Sequence, residues 1–184
     1  MTSDADRYAR VAAGFTSRIE AVREDQWSSP SPCDGWAARD VAAHVIRTHR
    51  AVLARLEGSE PPDPDPDADL VADWHAARDA VTQALADPSA SATVLGGMFG
   101  DQTFASMVGR MVCTDTLVHT WDLARAGGLD ETLDPEAMAA GMAFLGPMSD
   151  AIRGPGGFAP PLPAAEDADP QTAFLSFCGR EVNP

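Results

Sequence analysis

The chain has 184 residues, 45% of them hydrophobic and 22% charged, which is enough for one domain whose core needs no disulfides. Thirteen Lys and Arg stand against 28 Asp and Glu, a net charge of −15, and a field of that sign repels nucleic-acid phosphates and anionic lipid, so neither is expected as a partner. No apolar run approaches the ~18 residues that span a bilayer, and Met1 to Arg10 is polar without an apolar signal core, so a cytoplasmic protein is expected.

Taken in chain order, the first predicted helix runs from Asp4 to Asp25. Tyr8, Val11, Phe15, Ile19 and Val22 recur at steps of three and four, the stripe of an amphipathic helix. Trp27 closes the stripe, and Ser28 to Gly35 breaks it. A second helix is expected from Trp36 to Glu57, with Val41, Val45, Thr48, Val52 and Leu56 facing inward and His44 beside them. Asp40 suits the positive end of that helix. Glu60 to Asp69 alternates Pro and Asp and reads as a solvated connection.

A third helix is expected from Ala68 to Ala86, carrying Val71, Trp74, Val81 and Leu85, followed by a glycine-rich loop from Leu95 to Gln102. The next, Thr103 to Ala126, places Phe104, Val108, Met111, Asp115, His119 and Asp122 on one stripe that begins apolar and turns ionisable. Gly127-Gly128 ends it. A last long helix runs from Pro135 to Ile152 with Met138, Met142, Leu145 and Met148 inward. Beyond it, Gly154 to Pro163 is rich in Pro and Gly, and a short apolar segment lies around Phe174, Leu175 and Phe177. No strand signal is seen. The pattern predicts an all-α fold, a four-helix bundle with an extra short C-terminal segment, in one domain over residues 1–184.

Asp115 and His119 lie four residues apart, about 40° around a helix, so both side chains can reach one ion. His44 on a facing helix is the candidate third ligand. Two imidazoles and one carboxylate leave coordination positions open, as a catalytic site would. The plainer alternative is an ordinary Asp115–His119 ion pair with His44 a core histidine; against it stands the cost of burying an uncompensated carboxylate. Asp122, one turn past His119, could orient that ring or pair with Arg125. His49, about 140° from His44, is expected at the surface. His75 sits on a helix with no other ligand candidate. Trp36 and Trp121 could wall a pocket or be core, and the methionines read as core packing. Cys33, Cys113 and Cys178 show no paired spacing and read as reduced thiols. Cys113 is rotated about 200° from Asp115, which argues against a ligand or nucleophile.

The segments WSSPSPCDGWAARDVAAHVI (Trp27 to Ile46) and TDTLVHTWDLARAGG (Thr114 to Gly128) resemble the mycothiol-dependent maleylpyruvate isomerase N-terminal domain family of the DinB/YfiT-like superfamily. The tail AFLSFCGREVNP (Ala173 to Pro184) resembles the ending of single-domain members. The resemblance implies a DinB-like four-helix bundle, metal ligands at His44, Asp115 and His119, mycothiol as a thiol cofactor, and an actinobacterial source. It departs in three places. Asp115 stands where the isomerases have Glu. The isomerases carry a further C-terminal domain that contributes to their site. Ala37 replaces a capping Ser or Thr, leaving a cap to be found elsewhere, with Asp34 a candidate.

Together these readings give a divalent metal, zinc first with nickel or iron as alternatives, that activates a small thiol toward an electrophilic small molecule by transfer or isomerisation. A thiol-independent Lewis-acid enzyme and a non-catalytic metal-binding module are the alternatives. A homodimer is left open.

Overall fold

The structure is a computed structural model and describes residues 3–62, 65, 68–97, 100–149, 152–153 and 157–182. Parts of five segments read in the sequence lie outside the described residues: 63–64 and 66–67 of the Pro/Asp connection, 98–99 of the glycine-rich loop, 150–151 of the last long helix, 154–156 of the Pro/Gly stretch and 183–184 of the tail.

Helix α1 (Asp4–Ile19) starts at Ser3, whose hydroxyl accepts from Asp6 N–H at 3.1 Å, and buries the predicted Tyr8, Val11, Phe15 and Ile19. It is shorter than predicted. Arg23 is extended, and a separate 3-10 turn at Glu24–Gln26 follows, so Val22 only flanks the core. Helix α2 (Ala38–Glu57) begins at Ala37, which has no side-chain oxygen to offer. Asp40, not Asp34, holds that end by accepting from Ala37 N–H at 2.8 Å. Helix α3 (Leu70–Ala86) is capped by Asp69 and tied to α1 by Trp74 Nε1 donating to Thr16 Oγ1 at 2.9 Å.

Between α3 and the next long helix come a short helix α4 (Pro88–Ala92) and two strands the sequence did not announce. Strands β1 (Val94–Leu95) and β2 (Gln102–Thr103) pair antiparallel, Val94 opposite Thr103 and Leu95 opposite Gln102. Two residues cannot display an alternating pattern. The predicted helix from Thr103 is then interrupted: α5 (Phe104–Met107) and α6 (Cys113–Gly127) are joined by one π turn, Val108–Val112. The widened turn inserts a residue into the helical count, so Val112 takes the buried position while Met111 is only partly covered. Arg7 donates to Gly109 O at 3.0 Å within that turn. Gly128 (φ 61°) caps α6 in the left-handed region.

Helix α7 (Pro135–Leu145) stops seven residues before Ile152, because Pro147 cannot continue it; a 3-10 turn at Gly146–Met148 follows. Helix α8 (Pro170–Phe177) is the C-terminal segment, started by Asp169 accepting from Gln171 and Thr172 N–H. Helices α1, α3, α2 and α6 form a closed ring of neighbours, α1 on α3, α3 on α2, α2 on α6 and α6 on α1. That ring is the four-helix bundle. Helix α7 packs outside it on α6, and α8 on α7. Among the described residues no helix is long and apolar enough to cross a membrane.

His49 corrects the surface placement expected for it: its ring is fully buried between Tyr8 and Trp74, with Nδ1 donating to Val45 O at 2.8 Å. Burial holds its pKa down from 6.5 to about 4. Above pH 6.5 the group is neutral folded and unfolded, and adds no pH dependence. As pH falls from 6.5 towards 4, the unfolded chain takes up a proton that the folded one refuses. Stability should therefore decline over that window by about 3 kcal/mol. Urea unfolding of His49→Gln at pH 7 and pH 4.5 checks this: the variant should lose less stability between the two than the native chain, and an equal loss would contradict it.

Candidate metal centre

Because α2 lies against α6, His44 faces Asp115 and His119 across that contact. His44 Nε2 is 3.1 Å from Asp115 Oδ1, and His119 Nε2 is 3.6 Å from the same oxygen. One ligand atom from each of the three residues lies within 4.8 Å of the other two. Donors bound tetrahedrally at the usual zinc distances sit about 3.3 Å apart. The two observed edges bracket that value. Asp115 Oδ2 is buried and has no hydrogen-bond partner, an orphaned acceptor that a cation would compensate. The donor set and its spacing fit a small divalent ion.

The groups behind these three were read less completely from the sequence. Asp122 is fully buried, and its Oδ2 lies 2.9 Å from His119 Nδ1. A carboxylate only accepts, so Nδ1 carries a proton and Nε2 is the nitrogen turned toward Asp115. Asp122 thus orients the ring. Arg125 does not pair with it: that guanidinium bonds Glu131 and covers the Trp121 ring at 4.3 Å. Trp121 itself is core and does not line the cleft beside the centre.

Arg180, from the segment after α8, was not singled out. Its Nε donates to Asp122 Oδ1 at 2.9 Å and its Nη2 to Asp122 Oδ2 at 2.8 Å, a two-point clamp on a buried carboxylate. The same Nη2 approaches Cys33 Sγ at 3.3 Å, and that thiol lies 3.2 Å from Asp122 Oδ2 and 3.9 Å from His119 Nδ1. Cys33, His119 and Asp122 are therefore a second set close enough to hold an ion. The guanidinium already neutralises Asp122 there, which disfavours another cation. Only the Nε2 side of His119 offers uncompensated donors.

Electrostatics follow the geometry. Burial alone would raise both carboxylates. At Asp115 the two imidazoles of His119 and His44 together outweigh it and hold that group low, and His119 with Arg180 brings Asp122 down to about 2. Burial alone would also depress His119, but Asp115 and then Asp122 raise it overall. Burial pushes the Cys113 and Cys178 thiols up to about 12, so neither is a nucleophile near neutral pH. His75 lies apart, 3.0 Å from Glu20 in a surface pair.

The centre opens into a cleft of about 560 Å³ lined by Cys33, Trp36, His44, Arg47 and the C-terminal residues Gly179 and Arg180. The Trp36 ring stands 5.1 Å from that of His44 and stacks at 5.9 Å on that of His119. Gly179 is required beside Arg180. Its φ of 77° is left-handed, and a Cβ there would lie 2.7 Å from Ala159 Cβ and 2.9 Å from the Ala159 and Pro160 carbonyl oxygens. Gly179→Ala should lower stability by roughly 1–3 kcal/mol. Thermal unfolding reads the change, and an unaltered midpoint would contradict the packing described.

Comparison with known sequences agrees with this picture. The sequence model described as the mycothiol maleylpyruvate isomerase N-terminal domain matches residues 8–124, a span that includes His44, Asp115 and His119. Two curated relatives, uncharacterised proteins of Mycobacterium tuberculosis strains CDC 1551 / Oshkosh and ATCC 25618 / H37Rv, are each 32% identical over 180 residues, covering 95% of this chain and 96% of the relative. No solved structure matches the chain significantly.

Proposed function

We infer that this chain, which belongs to the mycothiol maleylpyruvate isomerase N-terminal domain family, binds one divalent metal ion through His44, Asp115 and His119 and is a thiol-dependent enzyme. The observation that carries the reading is the Asp115 carboxylate, its Oδ1 set between two imidazole Nε2 atoms and its Oδ2 buried without a partner, beside an open cleft. Zinc is the first candidate, with nickel or iron as alternatives that suit the same donors. Bound there, the ion supplies Lewis acidity at an open position, the chemistry that makes a small thiol nucleophilic near neutral pH.

The protein's own groups do the rest. Asp122, itself held by Arg180, accepts from His119 Nδ1 and so leaves Nε2 as the nitrogen available to the ion. Trp36 walls one side, its ring lying beside both imidazoles. The cleft has room for a thiol beside an electrophilic small molecule, with transfer of the thiol or thiol-assisted isomerisation as the outcome. Mycothiol is the thiol that the family description suggests.

Titrating cobalt(II)-loaded protein with mycothiol, and with 2-mercaptoethanol as a comparison thiol, tests the reading. A sulfur-to-cobalt charge-transfer band that saturates with mycothiol is expected. A cobalt spectrum that neither thiol perturbs would overturn thiol activation. Turnover of an electrophile with no thiol present would replace it by direct Lewis-acid catalysis.

A further inference from the structure

Helix α7 and the turn after it are apolar on more sides than the bundle covers. From Ala137 to Met148 the chain carries no charged or polar side chain. Ala137, Met138, Gly141 and Leu145 form the buried face, with Gly141 against Phe174 of α8 and Thr114 of α6. Ala140, Ala143, Phe144, Pro147 and Met148, again three and four residues apart, form a second stripe that is only half-buried or exposed. That stripe walls a second cleft, of about 860 Å³. A helix that is apolar all round is normally covered all round, and a cleft of this size suits a small molecule.

The other walls of the cleft are charged and come from α1 and the π turn. Arg7 Nη1 donates to Asp4 Oδ1 at 2.9 Å and to Gly109 O at 3.0 Å, which ties the first turn of α1 to the π turn. The fit is close, since a Cβ at residue 109 would run into the Asp4 carboxylate. Asp4 and Arg7 thus answer each other's charge. Arg110, the next residue, lines the same cleft and is exposed, yet among the described residues its guanidinium meets no carboxylate. Two arginines against one aspartate make the cleft locally cationic on a chain of net charge −15.

A cationic end beside an apolar wall selects a carboxylate with an apolar body. A second copy of the chain is the poorer match, because it brings the same −15 to the contact. The cleft is also separate from the metal centre. Among the described residues the two clefts share no lining residue. Cys113, the α6 residue whose thiol lies in the field of Arg7 and Asp4, is turned about 200° from Asp115.

We propose that the cleft between α1, the π turn and α7 binds a small carboxylate with an apolar body, its charge at Arg110 and its chain along Ala143, Phe144 and Met148. The site needs no metal and goes beyond the functional reading above. Octanoate is the probe, with octanamide as its neutral counterpart. Isotope-labelled methionine methyl groups, followed by NMR, report the position, because Met148 lines the cleft and Met148→Leu identifies its signal.

The Met148 signal should shift and saturate as octanoate is added. The midpoint should lie about three- to tenfold higher in Arg110→Gln. Ala143→Glu, a change at an exposed position, should remove the shift while the chain stays folded. Octanamide should not distinguish native protein from Arg110→Gln. A Met148 signal that octanoate leaves in place would overturn the site, and so would equal midpoints in native protein and Arg110→Gln. A native dimer in sedimentation that Ala143→Glu splits would give the cleft to a second copy and overturn the proposal as well.

Discussion

Replacing His119 with alanine should abolish stoichiometric metal binding while leaving the helical bundle folded. The loss should exceed the roughly 10–100-fold fall in affinity that follows removal of an outer-shell partner. The substitution deletes one of the three donors and leaves Asp115 Oδ1 with His44 alone at 3.1 Å. It spares the clamp of Arg180 on Asp122, which does not pass through the ring. His44→Ala should act alike with a smaller effect on the fold, because that side chain is 19% exposed against 10% for His119. Equilibrium dialysis with zinc gives the affinity, and circular dichroism the helix content. Retained stoichiometric zinc in either variant would show that the donors lie elsewhere.

The second large effect belongs to Arg180. Its partner Asp122 is fully buried, and removing one member of a buried ion pair leaves an uncompensated charge, at a cost of about 3–5 kcal/mol. Arg180→Ala should therefore lower stability by that amount in urea unfolding. It should also weaken zinc binding by roughly 10–100-fold, because Asp122 would no longer be held against His119 Nδ1. In Arg180→Ala/Asp122→Ala the orphaned charge is gone as well. The double variant should thus be less destabilised than the sum of the singles, which marks direct coupling. Additive losses, or an unaltered zinc affinity in Arg180→Ala, would contradict the arrangement described.

The bundle was legible because its helices announce themselves by period. Tyr8, Val11, Phe15 and Ile19 are all buried as their spacing requires, and so are Val41, Val45 and Val52. That His44, Asp115 and His119 meet was legible because Asp115 and His119 share a helix face and His44 interrupts an apolar stripe. The short elements were harder. Helices α4 and α8 are five and eight residues long, too short for a period, although each follows an Asp-Pro pair, Asp87-Pro88 and Asp169-Pro170, that marks a helix start. The π turn carries no sequence signature and only shows in its effect on Met111 and Val112. His49 was misplaced because rotation from His44 does not say which neighbours close over the far side of α2. Arg180 and Cys33 joined the centre through contacts 58 and 89 residues away in sequence, which no local pattern encodes.

The proposed ion belongs on the Nε2 side of His119, between His44 and Asp115, and not among Cys33, Asp122 and the Nδ1 side. X-ray absorption at the zinc edge, on protein purified and loaded without added thiol, separates the two directly. One zinc per chain is expected, with only nitrogen and oxygen neighbours, two of them imidazole, at about 2.0–2.1 Å. A sulfur neighbour at about 2.3 Å, or no stoichiometric zinc at all, would contradict it.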